Sequence, residues 1–349
     1  MKGNFSSDNS SGACAPIMEA IVKANAGAVP SYGSDEWNAK LHAKACDLFE
    51  KEVAVFPVTT GTAANALALS QLAPPYGTVY CYEAAHIVTD ECGAPEFFTG
   101  GAKLTGFPSE DGKILPEQVK KALAFADEMG VHHVKPGAVS ITQATEWGTL
   151  YSNREVSDLA ALARSRQLRL HMDGARFANA LATLNCSPAE ATWKSGVDVL
   201  SLGATKNGAL CAEAVIFFDV SLAQDFDRRR KRAGHLWSKF RFLSAQLLAY
   251  LEDDLWLRNA RHANRAARRL AEGLKPLSEV KLLHPVDANE LFVLLPQPLL
   301  GALERDFKFY TWPLYASETG VAVRLVTSYA TRDEEVDAFV GAVKQWGRR

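Results

Sequence analysis

Between residues 53 and 218 the chain alternates short apolar runs with longer segments in which apolar residues recur every three or four positions. The runs are VAVFPV (53–58), TVYCY (78–82), KLTGF (103–107), AVSIT (138–142), LRLHMD (168–173), VDVLSLG (197–203) and EAVIFF (213–218). Among the segments between them are AANALALSQL (63–72), LPEQVKKALAFADE (115–128) and NREVSDLAALARSR (153–166). A short apolar run bounded by turn residues suits a buried strand, and three-to-four spacing suits an amphipathic helix. Strands that alternate with helices build a mostly parallel sheet covered on both faces. The expected fold class is therefore α/β, with a seven-stranded sheet.

The pattern changes after about residue 230. The stretch from Ser238 to Leu274 reads as nearly continuous helix, followed by short strands at 280–284, 290–296 and 321–328 and a closing helix over 332–347. A chain of 349 residues exceeds the usual single core. The expectation is a large domain over 1–250 and a smaller α+β domain over 251–349. The sequence shows no repeat or low-complexity linker, so the two are expected to pack closely.

Charge and composition exclude several function classes. With 48% hydrophobic and 22% charged residues, the chain matches a folded globular protein rather than a disordered one. The net charge is −2, and the strongest basic patch, DRRRKR (227–232), has its nearest aromatic, Trp237, beyond it. A nucleic-acid footprint is broader than this, so a solvated helix face or a subunit contact is expected. Residues 1–12 lack the apolar region of a secretion signal, and no apolar run reaches membrane-spanning length. The six cysteines (14, 46, 81, 92, 186 and 211) include no CxxC pair, which argues against a metal site and a disulfide scaffold. Free thiols in a reducing cytoplasm are expected.

In sheets of this kind, ligands bind outside the carboxyl ends of the strands. After the first run, Gly61 and Thr62 open a helix whose N-terminus suits an anion, although Thr62 also suits an ordinary helix cap. After the second come His86, Asp90 and Glu91, where the carboxylates can tune the imidazole or the histidine can be merely structural. Asp173 ends the fifth run, and Arg176 follows as a possible local ion-pair partner. Lys206 follows the sixth, either as a loop lysine or as a reactive amine. Taken together, an anion cradle, an imidazole, a carboxylate and an amine at four strand ends suit one ligand, pyridoxal phosphate. Its phosphate needs a helix N-terminus, its aldehyde a lysine and its ring nitrogen a carboxylate. Ala175 is small enough to lie against one face of its ring.

On these residues the chain resembles the threonine aldolases of the β-eliminating lyase group, within the aspartate-aminotransferase-like fold. The likeness runs through FSSDNSSGACAPIMEAI (5–21), PSYGSDE (30–36), TTGTAANALAL (59–69), EAAHIVTDECGAPEFFTGGAKL (83–104) and, most specifically, LRLHMDGARFANAL (168–181). The resemblance implies that Lys206 bonds the cofactor aldehyde, Asp173 pairs with the ring nitrogen, His86 stacks on the ring, and Gly61, Thr62 and Ala63 hold the phosphate. It also implies that Ser7, Arg176 and Arg324 bind the substrate carboxylate. A homotetramer built from dimers is implied too, with Tyr32 and residues 227–241 reaching a neighbouring site.

The implied reaction is cleavage of L-threonine, L-allo-threonine and related β-hydroxy-α-amino acids to glycine and an aldehyde. His86 is the expected base for the β-hydroxyl, and Asp90 is expected to orient it. Other pyridoxal-phosphate reactions on the same scaffold (β-elimination, transamination or racemisation) and a non-catalytic binding role are the alternatives. Three departures stand out: TKNGAL (205–210) replaces the family's frequent Ser-Lys-Gly-Leu-Gly-Ala run, His235, Trp237 and Lys239 stand where many members carry Gly-Gly-Gly-Met-Arg, and TQATEWGT (142–149) lacks a second histidine found in some members.

Overall fold

The structure, a computed structural model, describes residues 1–312 and 319–347. The seven apolar runs form β1 (Ala54–Val58), β2 (Gly77–Tyr82), β3 (Lys103–Phe107), β4 (Lys135–Thr142), β5 (Arg169–Gly174), β6 (Val199–Gly203) and β7 (Glu213–Phe217). They lie in one sheet in the order β1-β7-β6-β5-β4-β2-β3. β7 runs antiparallel to both its neighbours, and the remaining pairs are parallel. Thr142 pairs with Asp173, and Asp173 with Ser201, so β4, β5 and β6 end level on one edge. That edge carries the strand-end residues singled out above.

The helix Gly61–Leu72 is buried from Ala63 through Ser70, which explains its apolar reading on every side. It packs on the sheet and against the short helix Ala94–Thr99. Its cap is Thr60, whose side chain accepts from the Ala63 N–H, rather than Thr62.

The expected continuous helix over 238–274 is broken. It forms Arg241–Leu251 and Leu255–Leu274, separated by Glu252–Asp254. Asp253 and Asp254 adopt left-handed backbone with φ of 49° and 53°. Asp tolerates that region better than most residues, and three successive carboxylates interrupt the apolar stripe that would hold a helix to the core. The second helix packs its first turns, with Trp256, into the large core and its last turns, with Leu270 and Leu274, into the smaller one.

The smaller layer is a four-stranded antiparallel sheet in the order Tyr310–Thr311, β9 (Val321–Val326), β8 (Glu290–Leu295) and Lys281–Leu282. The closing helix Asp333–Trp346 covers it, with Phe339 and Val343 in the core. Gly3–Asn4 pairs in parallel with Phe307–Lys308, and Phe5 packs edge-on against Phe339 at 5.4 Å. Gly3 and Phe5, grouped with the large domain by position in sequence, are thus buried in the smaller layer. This tether delivers Ser7 and Asp8 to the carboxyl edge of the large sheet. Among the described residues no helix is long and apolar enough to cross a membrane.

Candidate active site

A cavity of about 600 Å³ opens at the carboxyl edge of the large sheet, with Tyr310, Trp312 and Arg324 of the smaller layer closing it from above. Lys206 reaches it from the turn Thr205–Asn207, directly after β6. The turn is braced on both sides. Glu213 accepts the N–H groups of Ala204 and Thr205, and the Asn207 amide donates to Tyr250 Oη at 2.9 Å and to the Trp256 carbonyl at 2.8 Å. Burial pushes the Glu213 carboxyl up to about 7. The Lys206 amine itself makes no hydrogen bond or ion pair with a described residue. The asparagine in TKNGAL therefore anchors the turn to the two helix ends created by the break at 252–254.

Asp173, the last but one residue of β5, lines the cavity. It accepts from the Ala175 N–H at 2.9 Å and from Asn65 Nδ2 at 2.8 Å. The same Asn65 amide donates to Glu91, which in turn accepts from His86 Nδ1 at 2.9 Å. His86 lies at the mouth of the cavity, and hydrogen bonding to Glu91 raises it above the ordinary histidine value against the opposing effect of burial. Burial likewise raises Glu91, whose side chain has 0% exposure. The carboxylate that tunes His86 is thus Glu91. Asp90, expected in that role, lines the cavity but is exposed and accepts from Thr89.

Arg176 does not form the local pair with Asp173. Its Nε and Nη2 grip Asp8 at 2.8 and 3.1 Å, and its Nη1 lies 3.1 Å from Glu290. Arg324 meets Glu290 at only 3.9 Å, stacks over the Trp312 ring at 5.0 Å, and leaves its buried Nε without a partner. Both guanidiniums line the cavity beside Ser7 and Ala175, but Arg176 is braced and Arg324 has donors to spare.

At the start of the helix Gly61–Leu72, Gly61 lines the cavity, and a Cβ there would meet nothing within 4 Å. With Ala63 capped by Thr60, the N–H groups of Gly61 and Thr62 are the ones left for an anion. Beside them, His235 Nδ1 lies 3.0 Å from Thr59 Oγ1.

A second carboxyl, Glu146, also lines the cavity. Its Oε1 accepts from the His86 backbone N–H at 3.0 Å and from Thr142 Oγ1 at 2.8 Å, while its Oε2 is buried without a partner. Burial pushes it up to about 7, and the nearby Asp173 charge adds to the effect.

With this geometry in place, comparison with known proteins places the chain. Residues 4–297 match the family model described as beta-eliminating lyase. The chain is 47% identical over 334 residues to the low specificity L-threonine aldolase of Pseudomonas aeruginosa, covering 95% of this chain and 94% of that protein. The chain belongs to the beta-eliminating lyase family. The solved structure of Leishmania major threonine aldolase superposes with a TM-score of 0.93 at 30% identity, covering 99% of each chain. A more distant relative, the alanine racemase TOXG of Cochliobolus carbonum, is 26% identical over 62% of this chain and 54% of its own length.

In this member of the family the fold brings Ser7, Gly61, His86, Asp90, Asp173, Ala175, Arg176, Lys206 and Arg324 to one cavity, while Thr62 and Ala63 follow Gly61 in the helix. Tyr32 does not line it. Tyr32 is 49% exposed, donates its N–H to the Ser238 carbonyl, and lies under Lys231 at 4.6 Å. Sequence reasoning missed Asn65, Glu146 and Glu290. The signal for Glu146 was a carboxylate directly before a tryptophan at a strand end, where burial and charge conflict. The other two sit within apolar helical and strand patterns that read as core.

Proposed function

We propose that this chain is a pyridoxal-phosphate-dependent L-threonine aldolase of low specificity, cleaving L-threonine, L-allo-threonine and related β-hydroxy-α-amino acids to glycine and an aldehyde. The observation that carries the reading is one cavity holding an unpaired lysine amine, a strand-end carboxylate and an arginine with free donors, in a chain 47% identical to a curated low specificity L-threonine aldolase.

The donor set fits the cofactor. Asp173 has two of its roughly four lone-pair sites taken by hydrogen bonds, which leaves acceptors for a protonated ring nitrogen. The open space at Gly61 and the N–H groups of Gly61 and Thr62 fit a phosphate, with Ala63 reinforcing the turn through Thr60. Lys206 would hold the cofactor through its amine. Bound there, the cofactor supplies an electron sink for charge developing at the substrate α-carbon.

The protein's own residues then bind and orient. Arg324 and Ser7 hold the substrate carboxylate, and Arg176, fixed by Asp8 and Glu290, sets the positive wall behind it. Ala175 and His86 both line the cavity and would flank the cofactor ring. Glu91 keeps the imidazole protonated to higher pH than usual, which favours stacking and charge complementarity over proton abstraction. The trimmed role for His86 leaves Asp90 as a residue of the cavity mouth.

The reading also makes the protein a cytoplasmic homotetramer built from dimers that acts on a free amino acid. Supporting it, Tyr32 is half-exposed and lies under Lys231 of the 227–241 segment rather than in this chain's own cavity.

Purified protein that takes up pyridoxal phosphate with visible absorbance, lost in Lys206→Ala, together with glycine and aldehyde release from L-threonine, L-allo-threonine or L-phenylserine, supports the proposal. Keto acid among the products, or D-alanine formed from L-alanine without aldehyde release, points instead to transamination or to the racemase chemistry named for the fungal relative. A protein that takes up no pyridoxal phosphate sinks the reading.

A further inference from the structure

The loop that follows β4 is tied down at several points. Gln143 exchanges hydrogen bonds with both backbone groups of Tyr151, the Thr145 N–H donates to the Thr149 carbonyl, and Trp147 Nε1 donates to Tyr82 Oη. Glu146 therefore projects into the cavity from a rigid support. One of its oxygens is held by the His86 N–H and Thr142, and the other is buried, unpartnered and part of a cavity-lining side chain. A buried acceptor without a donor is costly, and such an atom in a cavity is satisfied when a ligand brings a hydroxyl to it.

We propose that Glu146 Oε2 is the acceptor and general base for the β-hydroxyl of the substrate. The inference rests on the aldolase reading above. As the Cα–Cβ bond breaks, the hydroxyl proton passes to Glu146 and the O–H electron pair becomes the aldehyde C=O bond. The electron pair of the broken bond stays with the α-carbon, which takes up a proton to give glycine, so no oxidant or further reactant is needed.

His86 Nδ1 is committed to Glu91, Asp90 is exposed and bonded to Thr89, and Glu91 is turned away from the cavity toward Asn65. Burial and Asp173 bring the Glu146 carboxyl to about 7, where it can accept a proton in cleavage and return one in the reverse direction.

The test uses the holoenzyme with Glu146→Gln. Glutamine Oε1 still accepts from His86 and Thr142, so only the buried, unpartnered oxygen is replaced. Cofactor uptake by visible absorbance, glycine affinity and exchange of the glycine α-hydrogens into D2O involve no β-hydroxyl, and they stay within about threefold of the unsubstituted enzyme. Aldehyde release from L-threonine falls by about 100-fold or more, the usual range for loss of a general base. Glu146→Asp keeps a carboxylate on a shorter arm and recovers part of that rate. Cleavage by Glu146→Gln within about threefold of the unsubstituted rate overturns the assignment. A parallel loss of cofactor uptake and glycine exchange also overturns it, because Glu146 would then brace the site rather than act on the hydroxyl. Failure of the aldolase reading itself shows differently, as absence of aldehyde release by the unsubstituted protein, and takes this assignment with it.

Discussion

Asn65 donates one amide nitrogen to two acids, meeting Asp173 Oδ2 and Glu91 Oε1 each at 2.8 Å. The amide separates two carboxyl groups that would otherwise face each other unscreened, and it couples the strand end of β5 to the His86 side of the cavity. Its own Oδ1 has no partner, so two acceptors dictate the orientation of the group. Asn65→Leu removes both hydrogen bonds from buried acids. It is expected to lower folding stability by about 2 kcal/mol and to weaken pyridoxal phosphate binding. Urea unfolding and cofactor titration by absorbance measure the two effects separately, and an unchanged urea midpoint would show that the bridge contributes nothing.

Glu91 acts on His86 mainly through the hydrogen bond to Nδ1. In Glu91→Gln the imidazole loses its anionic acceptor, so its titration midpoint is expected to move down toward or below the ordinary value. The imidazole then becomes neutral at lower pH than in the parent protein. Following the His86 ring signals by NMR against pH reads this directly, and an unmoved midpoint would reassign the raised value to Asp173.

The two arginines are expected to respond differently to loss of the guanidinium fork. Arg324 has spare donors, so Arg324→Lys is expected to raise KM for L-threonine by about tenfold or more, with cofactor uptake and melting temperature little changed. Arg176 already hydrogen-bonds Asp8 and ion-pairs with Glu290, so Arg176→Lys is expected to lower the melting temperature as well. Steady-state kinetics paired with thermal melts distinguishes these outcomes. Identical profiles for the two variants would remove the distinction.

Asp8 ties the N-terminal segment to this site and gives it a pH signature. Burial alone would raise its carboxyl, but the Arg176 guanidinium and the Lys206 ammonium outweigh burial and hold it below the usual carboxylate range. A depressed folded value means that the stabilisation is present above the unfolded value of about 4 and is lost as pH falls through the folded one. Asp8→Asn should therefore be less stable than the parent at neutral pH, with the gap closing below about pH 4. Urea midpoints across pH 3 to 7 provide the comparison, and a gap that persists unchanged into acid would contradict the ion-pair account.

The seven strands and the carboxyl-edge location of His86, Asp173 and Lys206 were legible because each rests on local pattern. Periodicity marks the elements, and a strand end marks where a polar side chain can leave an apolar layer. Pairing partners were not legible. Arg176 sits three residues from Asp173, yet it reaches Asp8 from the other end of the chain and Glu290 from the smaller sheet. The break at Glu252–Asp254 was hidden inside a helical pattern, because its consequence, the docking of Asn207 onto Tyr250 and Trp256, is a long-range fit.

Gly203 shows the same division. In the sequence it is one small residue among several before Lys206, but a Cβ there would lie 2.5 Å from the Ala175 carbonyl oxygen, so it permits two strand ends to approach. By itself the sequence determined the α/β architecture and the residue types that meet at the sheet's edge, because hydrophobic period and strand polarity are local properties. Only the tertiary structure decided which acid tunes His86, which arginine is braced, and that a cavity-lining Glu146 keeps one buried oxygen without a partner. Those outcomes depend on which buried polar groups find partners across long stretches of chain, and no local pattern encodes that.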